Sequence, residues 1–492
     1  MRAAFLFLAL LPLAAWADAP SDRFSAGGYF RVMTRPDFQG GDSKLGFWNL
    51  YGRLLNEGPY GALELKLDVL QAQPGTREVW ASVHAKLEGG SFANTDAGNG
   101  SLARFRASQL YVKAGNILFD RVTWQLGTLE NWFGDLGLYD LRPASLFTDT
   151  VGLSARYQLD WVELLLGVGD AGFAVRGPRY NTLFTTGGSA RFRVGQHLEL
   201  GVGGQLSHEP AVRGNRFAPY VTPGLDYEDY LRGEVAMRFL ENHPGQADLF
   251  PKPEATSATS WKAVGYLGFG KLGPLRWSNL FVSYRRLHPE SFVTETFDGR
   301  EFTLYPTALT DERTQLMVGN EMQLRLWPER LDAVWAVLYG RDANRDNTIA
   351  AGDDNREYYS TVLRLQLYLT STVHLLAESS VAREKSLNGN LYREHADSVF
   401  KNSGGVPDSR GLELGDTDTR NTWQLKTGVV LNPTGLGVYT RPSLRLLYGL
   451  QYSNQQAAFG NGFVESLDQY NVFPSPERHW HSVVAIEAEA WF

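Results

Sequence analysis

The sequence predicts an all-β chain folded as a transmembrane antiparallel β-barrel of about eighteen strands with long outer loops. Three observations predict it. The N-terminus reads as an export signal, with no helix-length apolar run after it. Apolar and polar residues alternate at period two in segments that recur along the whole chain. The gaps between those segments alternate between short and long.

The first 17 residues carry the export signal. Arg2 supplies a positive start, residues 3–15 are almost unbroken apolar, and Ala15-Trp16-Ala17 is a small-x-small cleavage site. The mature chain is expected to be one barrel domain, residues 18–492. No later stretch approaches the roughly 20 apolar residues of a spanning helix, so a membrane-embedded chain must cross with strands. The mean hydropathy of −0.27 agrees, because half of each barrel strand faces a wet lumen. There is no cysteine, so no disulfide holds the fold, and the net charge of −7 argues against nucleic acid as a partner. Aromatics at 13% and 51 glycines suit interfacial girdles and close turns.

Taken in order, the alternation places strands at residues 26–33, 60–69, 79–87, 104–112, 121–126, 152–159, 161–168, 187–194 and 198–207. The second half continues at 261–268, 275–287, 314–326, 331–339, 358–369, 373–381, 422–431, 439–453 and 479–492. Tight connections fall at Asp160, Gly195 to His197, Trp327 to Arg330 and Thr370 to Thr372. The long gaps are 208–260, 288–313, 382–421 and 454–478. Such barrels have short periplasmic turns and long outer loops. Residues 230–239 also alternate and are assigned to an outer-loop hairpin, because another spanning strand there would break the pattern. Faces are clear in several strands: Leu63, Leu65, Leu67 and Val69 oppose Ala62, Glu64, Lys66 and Asp68. In the last strand Val484, Ile486, Ala488 and Ala490 oppose Glu487, Glu489 and Trp491. A ring of this size is too wide for wall side chains to fill, which leaves a channel or a lumen narrowed by an inward loop.

Four stretches resemble the maltoporin, or sugar-porin, family: Gly28-Tyr29-Phe30-Arg31, Leu63-Glu64-Leu65-Lys66-Leu67, Tyr439 to Arg445, and Ile486 to Phe492. The resemblance implies a trimer of eighteen-stranded barrels, each narrowed by an inward third loop, in which a file of aromatics faces a polar track. On that alignment Tyr29, Tyr439 and Trp491 are sugar-stacking aromatics, and Arg31, Arg53, Glu64 and Arg106 match the track. Asp140 matches the third loop's aspartate, and Arg142 stands where the family's constriction has a tyrosine. Ala62 and Phe133 also depart, replacing an aromatic-file tyrosine and a track arginine. The expectation is a passive outer-membrane channel for carbohydrates and small polar solutes, with outer-membrane lipid and two further copies of the chain as partners. A general or different-substrate porin and a polysaccharide-export or envelope-assembly barrel stay open as alternatives.

The chemistry of such a track is simple. A pyranose shows C–H faces and a rim of hydroxyls, so aromatic rings cover the face while charged or amide groups exchange hydrogen bonds with the rim. Parity puts Tyr29 beside Arg31, Tyr439 beside Arg441, and Trp491 beside Glu489, each on the wet face. The competing reading of each aromatic is an interfacial girdle residue, and of each charge a hydrated wall. Asp342, Asn344, Asp346 and Asp353 fall at positions 1, 3, 5 and 12 of a calcium loop, but Asn347 replaces its glycine and Asp353 its glutamate, so a solvated turn is the expectation. No cofactor and no catalysis are expected: Ser207-His208 and His481-Ser482 lack a nucleophile elbow, and no phosphate-binding loop supplies energy.

Overall fold

The computed structural model describes residues 23–34, 49–72, 77–90, 105–171, 183–210, 257–287, 293–297, 300–304, 313–344, 356–386, 419–454 and 480–492. The expected signal segment and the 230–239 hairpin lie outside them. The strands are β1 Phe24–Thr34, β2 Tyr60–Leu70, β3 Trp80–Gly90, β4 Phe105–Gly115, β5 Val122–Trp132, β6 Ser145–Gln158, β7 Val162–Asp170, β8 Phe184–Val194, β9 Leu198–Glu209 and β10 Ala258–Leu272. They continue as β11 Leu275–Leu287, β12 Val293–Phe297, β13 Arg300–Leu304, β14 Arg313–Trp327, β15 Leu331–Asn344, β16 Arg356–Tyr368, β17 Val373–Ser386, β18 Thr419–Leu431, β19 Ser443–Ser453 and β20 Trp480–Trp491.

Eighteen of these pair antiparallel, neighbour to neighbour, into one sheet, which β1 closes by pairing both β2 and β20. Closure leaves no sheet edge, the condition for strands to cross hydrocarbon. β12 and β13 form a separate hairpin between β11 and β14. Every expected spanning strand is present. Several boundaries are corrected: β5 runs on to Trp132, β6 begins at Ser145, and β19 begins at Ser443, where its ladder with β20 starts opposite Glu489, so Tyr439 to Pro442 belong to the preceding turn. Pro442 has no N–H to give a ladder.

The expected faces follow the pleat. Outward positions such as Leu126, Leu166, Val202, Leu363, Leu446 and Ile486 are exposed, while Arg364, Lys426 and Glu487 face inward and are buried. A belt of exposed aliphatics around the ring is stabilising only against hydrocarbon. A closed eighteen-stranded ring with such a belt is an outer-membrane, multi-pass β-barrel protein.

Candidate functional site

Among the described residues, two loop segments lie in the lumen. Loop 3, residues 133–144, folds inward as expected. Leu136 and Leu141 exchange backbone hydrogen bonds at 2.9 and 3.3 Å, and Asp140 between them takes a positive φ of 53°. The loop's apolar side packs on the far wall: Leu136, Leu138 and Tyr139 are wholly buried with Phe281, Val334, Ala336 and Val362. Glu321 Oε2 accepts the Leu138 N–H at 2.8 Å, and the Tyr139 hydroxyl lies 3.1 Å from Ser360 Oγ. Phe133 stacks on Tyr266 with rings 5.9 Å apart, and the Arg191 guanidinium lies 5.1 Å from the Phe133 ring centre. A cation over a ring adds about 0.5–2 kcal/mol, so this arginine helps to hold the loop base. At Gly134, φ 45°, an added Cβ would be strained by the backbone and would press on Phe281 and Tyr266 at 3.2 Å.

The second segment, the inner part of loop 1, residues 49–59, is not among the expectations from the sequence. It begins with a short 3-10 turn, Asn49–Tyr51, and lies against β16 to β20. Lys426 Nζ donates to the carbonyls of Tyr51 and Gly52 at 2.9 and 3.2 Å and to Glu378 Oε1 at 2.9 Å, while Arg364 pairs with Glu378 Oε2 at 2.6 Å. The Tyr51 hydroxyl donates to Glu384 at 2.5 Å, and the Leu55 N–H to Glu487 at 3.2 Å. Leu54 and Leu55 are buried against Leu376, Val430, Leu447, Val483 and Ala485. The two loops meet where the Arg53 N–H donates to the Leu138 carbonyl at 2.7 Å.

On the other side of loop 3 the polar edge faces β2 to β5. Arg142 lies 4.3 Å over the Trp132 ring and 3.5 Å from Glu130. Gln109 donates to the same carboxylate at 2.5 Å, and the Tyr60 hydroxyl donates to Glu88 at 2.8 Å. Asp140 interacts with Arg53, Glu57, Arg31 and Arg142. Burial pushes the Glu57 carboxyl up to about 7 against the pull of Arg53 and Arg31, with Asp140 adding to the rise. For Asp140 burial works the same way, but Arg53, the hydrogen bond with Glu57, Arg31 and Arg142 outweigh it and hold its carboxyl below the usual range. The two loops therefore face each other across a carboxyl pair, one member favouring its proton and the other its charge.

Of the expected residues, Arg31 donates to Gly58 O at 2.9 Å and pairs with Glu57, and Arg53 bonds Glu489 at 2.9 Å and the Tyr29 hydroxyl at 3.1 Å. Tyr29 stands 5.7 Å from Tyr60 and 6.4 Å from Trp491, ring to ring, so these aromatics form one cluster. Tyr439 is elsewhere: its hydroxyl donates to Glu321 at 2.6 Å and its ring neighbour is Trp277 at 6.3 Å. Glu64 is exposed on the inner face of β2, and Arg106 sits on β4 in register with Glu88. Asp342 and Asn344 end β15, whereas Asp346 and Asp353 lie outside the described residues. No group of three metal-ligating side chains occurs among the described residues.

No protein-family model matches the chain, and no curated protein sequence matches it. Solved structures share the barrel at low identity. Acinetobacter baumannii OccAB1 is 9% identical over 96% of both chains, with a TM-score of 0.45. The outer membrane protein OprD from Pseudomonas aeruginosa is 10% identical over 95% of this chain and 93% of its own, with a TM-score of 0.41. Outer-membrane expressed OmpT of Vibrio cholerae is 9% identical over 97% and 100%, with a TM-score of 0.40. The maltoporin resemblance rests on the short sequence stretches that carry it.

Proposed function

We propose that this chain is a passive outer-membrane channel for small polar solutes, with carbohydrates as the substrate class its aromatic cluster suits. One observation carries the channel reading: inside a closed ring, charged side chains stay open to solvent, with Arg142 46% and Lys66 43% exposed. Charges on a lumen wall that were not hydrated would need partners on every side. Passive conduction favours contacts that release a solute as readily as they take it up.

The carbohydrate reading rests on Tyr29, Tyr60 and Trp491, whose rings offer stacking surface beside Arg53 and Glu489. A second reading, small charged solutes, is favoured by the Arg142, Glu130 and Asp140 charges at the loop-3 edge. A homotrimer is proposed from the maltoporin-like stretches. Swelling of liposomes carrying the purified protein tests the reading. Uptake of neutral sugars at rates that fall with sugar size supports the carbohydrate channel, and uptake of charged solutes alone supports the second. Liposomes that hold folded protein and admit neither class would refute both.

A further inference from the structure

We infer that solute crosses off-centre, along the inner faces of β2 to β9, and that the loop-1 segment 49–59 is a built-in plug filling the opposite side of the lumen. This rests on the channel reading and assigns which wall residues determine specificity.

The two walls differ in one measure, the solvent reaching inward charged side chains. On β2 to β9 and the loop-3 edge, Lys66 is 43% exposed, Arg142 46%, Arg156 34% and Arg193 35%, with Lys86 at 19%, Glu88 at 12% and Glu163 at 8%. On β16 to β19, Arg364, Glu378, Lys426 and Arg445 are 0–4% exposed. Both walls belong to one ring and carry ionisable residues at alternate positions, so strand composition does not explain the difference. Loop 1 does, because it covers the second wall.

The cover is built to stay. Leu54 and Leu55 fill an apolar seat, and the buried Lys426 ammonium spends two of its three hydrogen bonds on the loop backbone. Removing the loop would leave the paired charges of Arg364, Glu378 and Lys426 beside an unfilled apolar surface. Passing solute then meets Glu64, Lys66, Arg142, Arg156 and Arg193, whereas Arg31 and Arg445 act on the scaffold. Arg31 holds loop 1 through Glu57 and Gly58, and Arg445 holds Glu489 at 2.6 Å.

The chain has no native cysteine, so single thiols can be placed without background. Lys66→Cys and Arg193→Cys test the open wall, and Ser380→Cys tests the plugged one. Ser380 is buried on β17, and its substitution is nearly isosteric. A cationic methanethiosulfonate is applied to reconstituted protein, with labelling read by mass and current read by bilayer recording. The first two variants should label within minutes and lose a stepwise fraction of conductance. Ser380→Cys should label at least roughly a hundredfold more slowly, because its thiol is reached only when the plug leaves. It should label rapidly once unfolded in denaturant. Equal labelling rates on the two walls would overturn the inference, as would labelling of the open wall without loss of current. A parent without any conductance defeats the channel reading, while the labelling rates still decide whether the plug exists.

Discussion

Lys426→Met removes the ammonium that ties the plug to the wall and keeps most of the side-chain stem. The lost contacts are hydrogen bonds to the carbonyls of Tyr51 and Gly52 at 2.9 and 3.2 Å and to Glu378 at 2.9 Å. Glu378 keeps Arg364, bonded at 2.7 Å through Nε, so the carboxylate is not left without a partner. Breaking a buried ion pair costs about 3–5 kcal/mol, and hydrogen bonds from a charged donor contribute about 1.5–3 kcal/mol each. A loss of about 3 kcal/mol in loop docking raises the undocked population roughly a hundredfold. Single-channel recording should show larger or noisier current steps in Lys426→Met than in the parent, and Lys426→Arg should restore most of the quiet baseline. In a Ser380→Cys background the thiol should label correspondingly faster. Parent-like current together with parent-like labelling would refute the claim that Lys426 anchors loop 1.

Arg142→Ala should raise single-channel conductance and shift ion preference toward cations, since it removes a positive charge 3.5 Å from Glu130, and the reversal potential in a salt gradient reads this directly. Trp491→Ala should weaken sugar block several-fold with little change in ion current, because its exposed ring lies at the edge of the Tyr29 cluster; titration of block with a sugar series gives the answer. Glu57 carries a carboxyl raised to about 7, so docked loop 1 holds a proton that the undocked loop releases near pH 4.5. Docking should therefore be strongest below pH 4.5, weaken as pH rises toward 7, and change little beyond. Current noise recorded from pH 4 to 9 should rise over that window in the parent and stay flat in Glu57→Gln.

The barrel was legible because period-two patterning repeats in every strand and register follows from it. The β19 boundary was not, because Tyr439 to Arg445 keeps alternating through a turn, and only Pro442 marks the break. The β12–β13 hairpin had a local signal in Asp298-Gly299 between two short β-prone runs. Loop 3 and its Asp140 and Arg142 were reached through resemblance. Loop 1 had a signal in the strands it covers. The neighbouring apolar pairs Leu375-Leu376, Val429-Val430, Leu446-Leu447 and Val483-Val484 put hydrophobic side chains on both faces of four consecutive strands. The outer member of each pair faces lipid, and the inner member needs an apolar partner inside the lumen. What no single-strand pattern shows is which distant segment supplies that partner, since Leu54 and Leu55 are more than 300 residues away in the chain from Leu376.

Planar-bilayer recording of the folded, reconstituted parent tests the central claim most directly. The account predicts steady, ohmic current steps that a permeating sugar reduces reversibly and in proportion to its occupancy. Bilayers that contain the inserted barrel and carry no current, with or without solute, would contradict it.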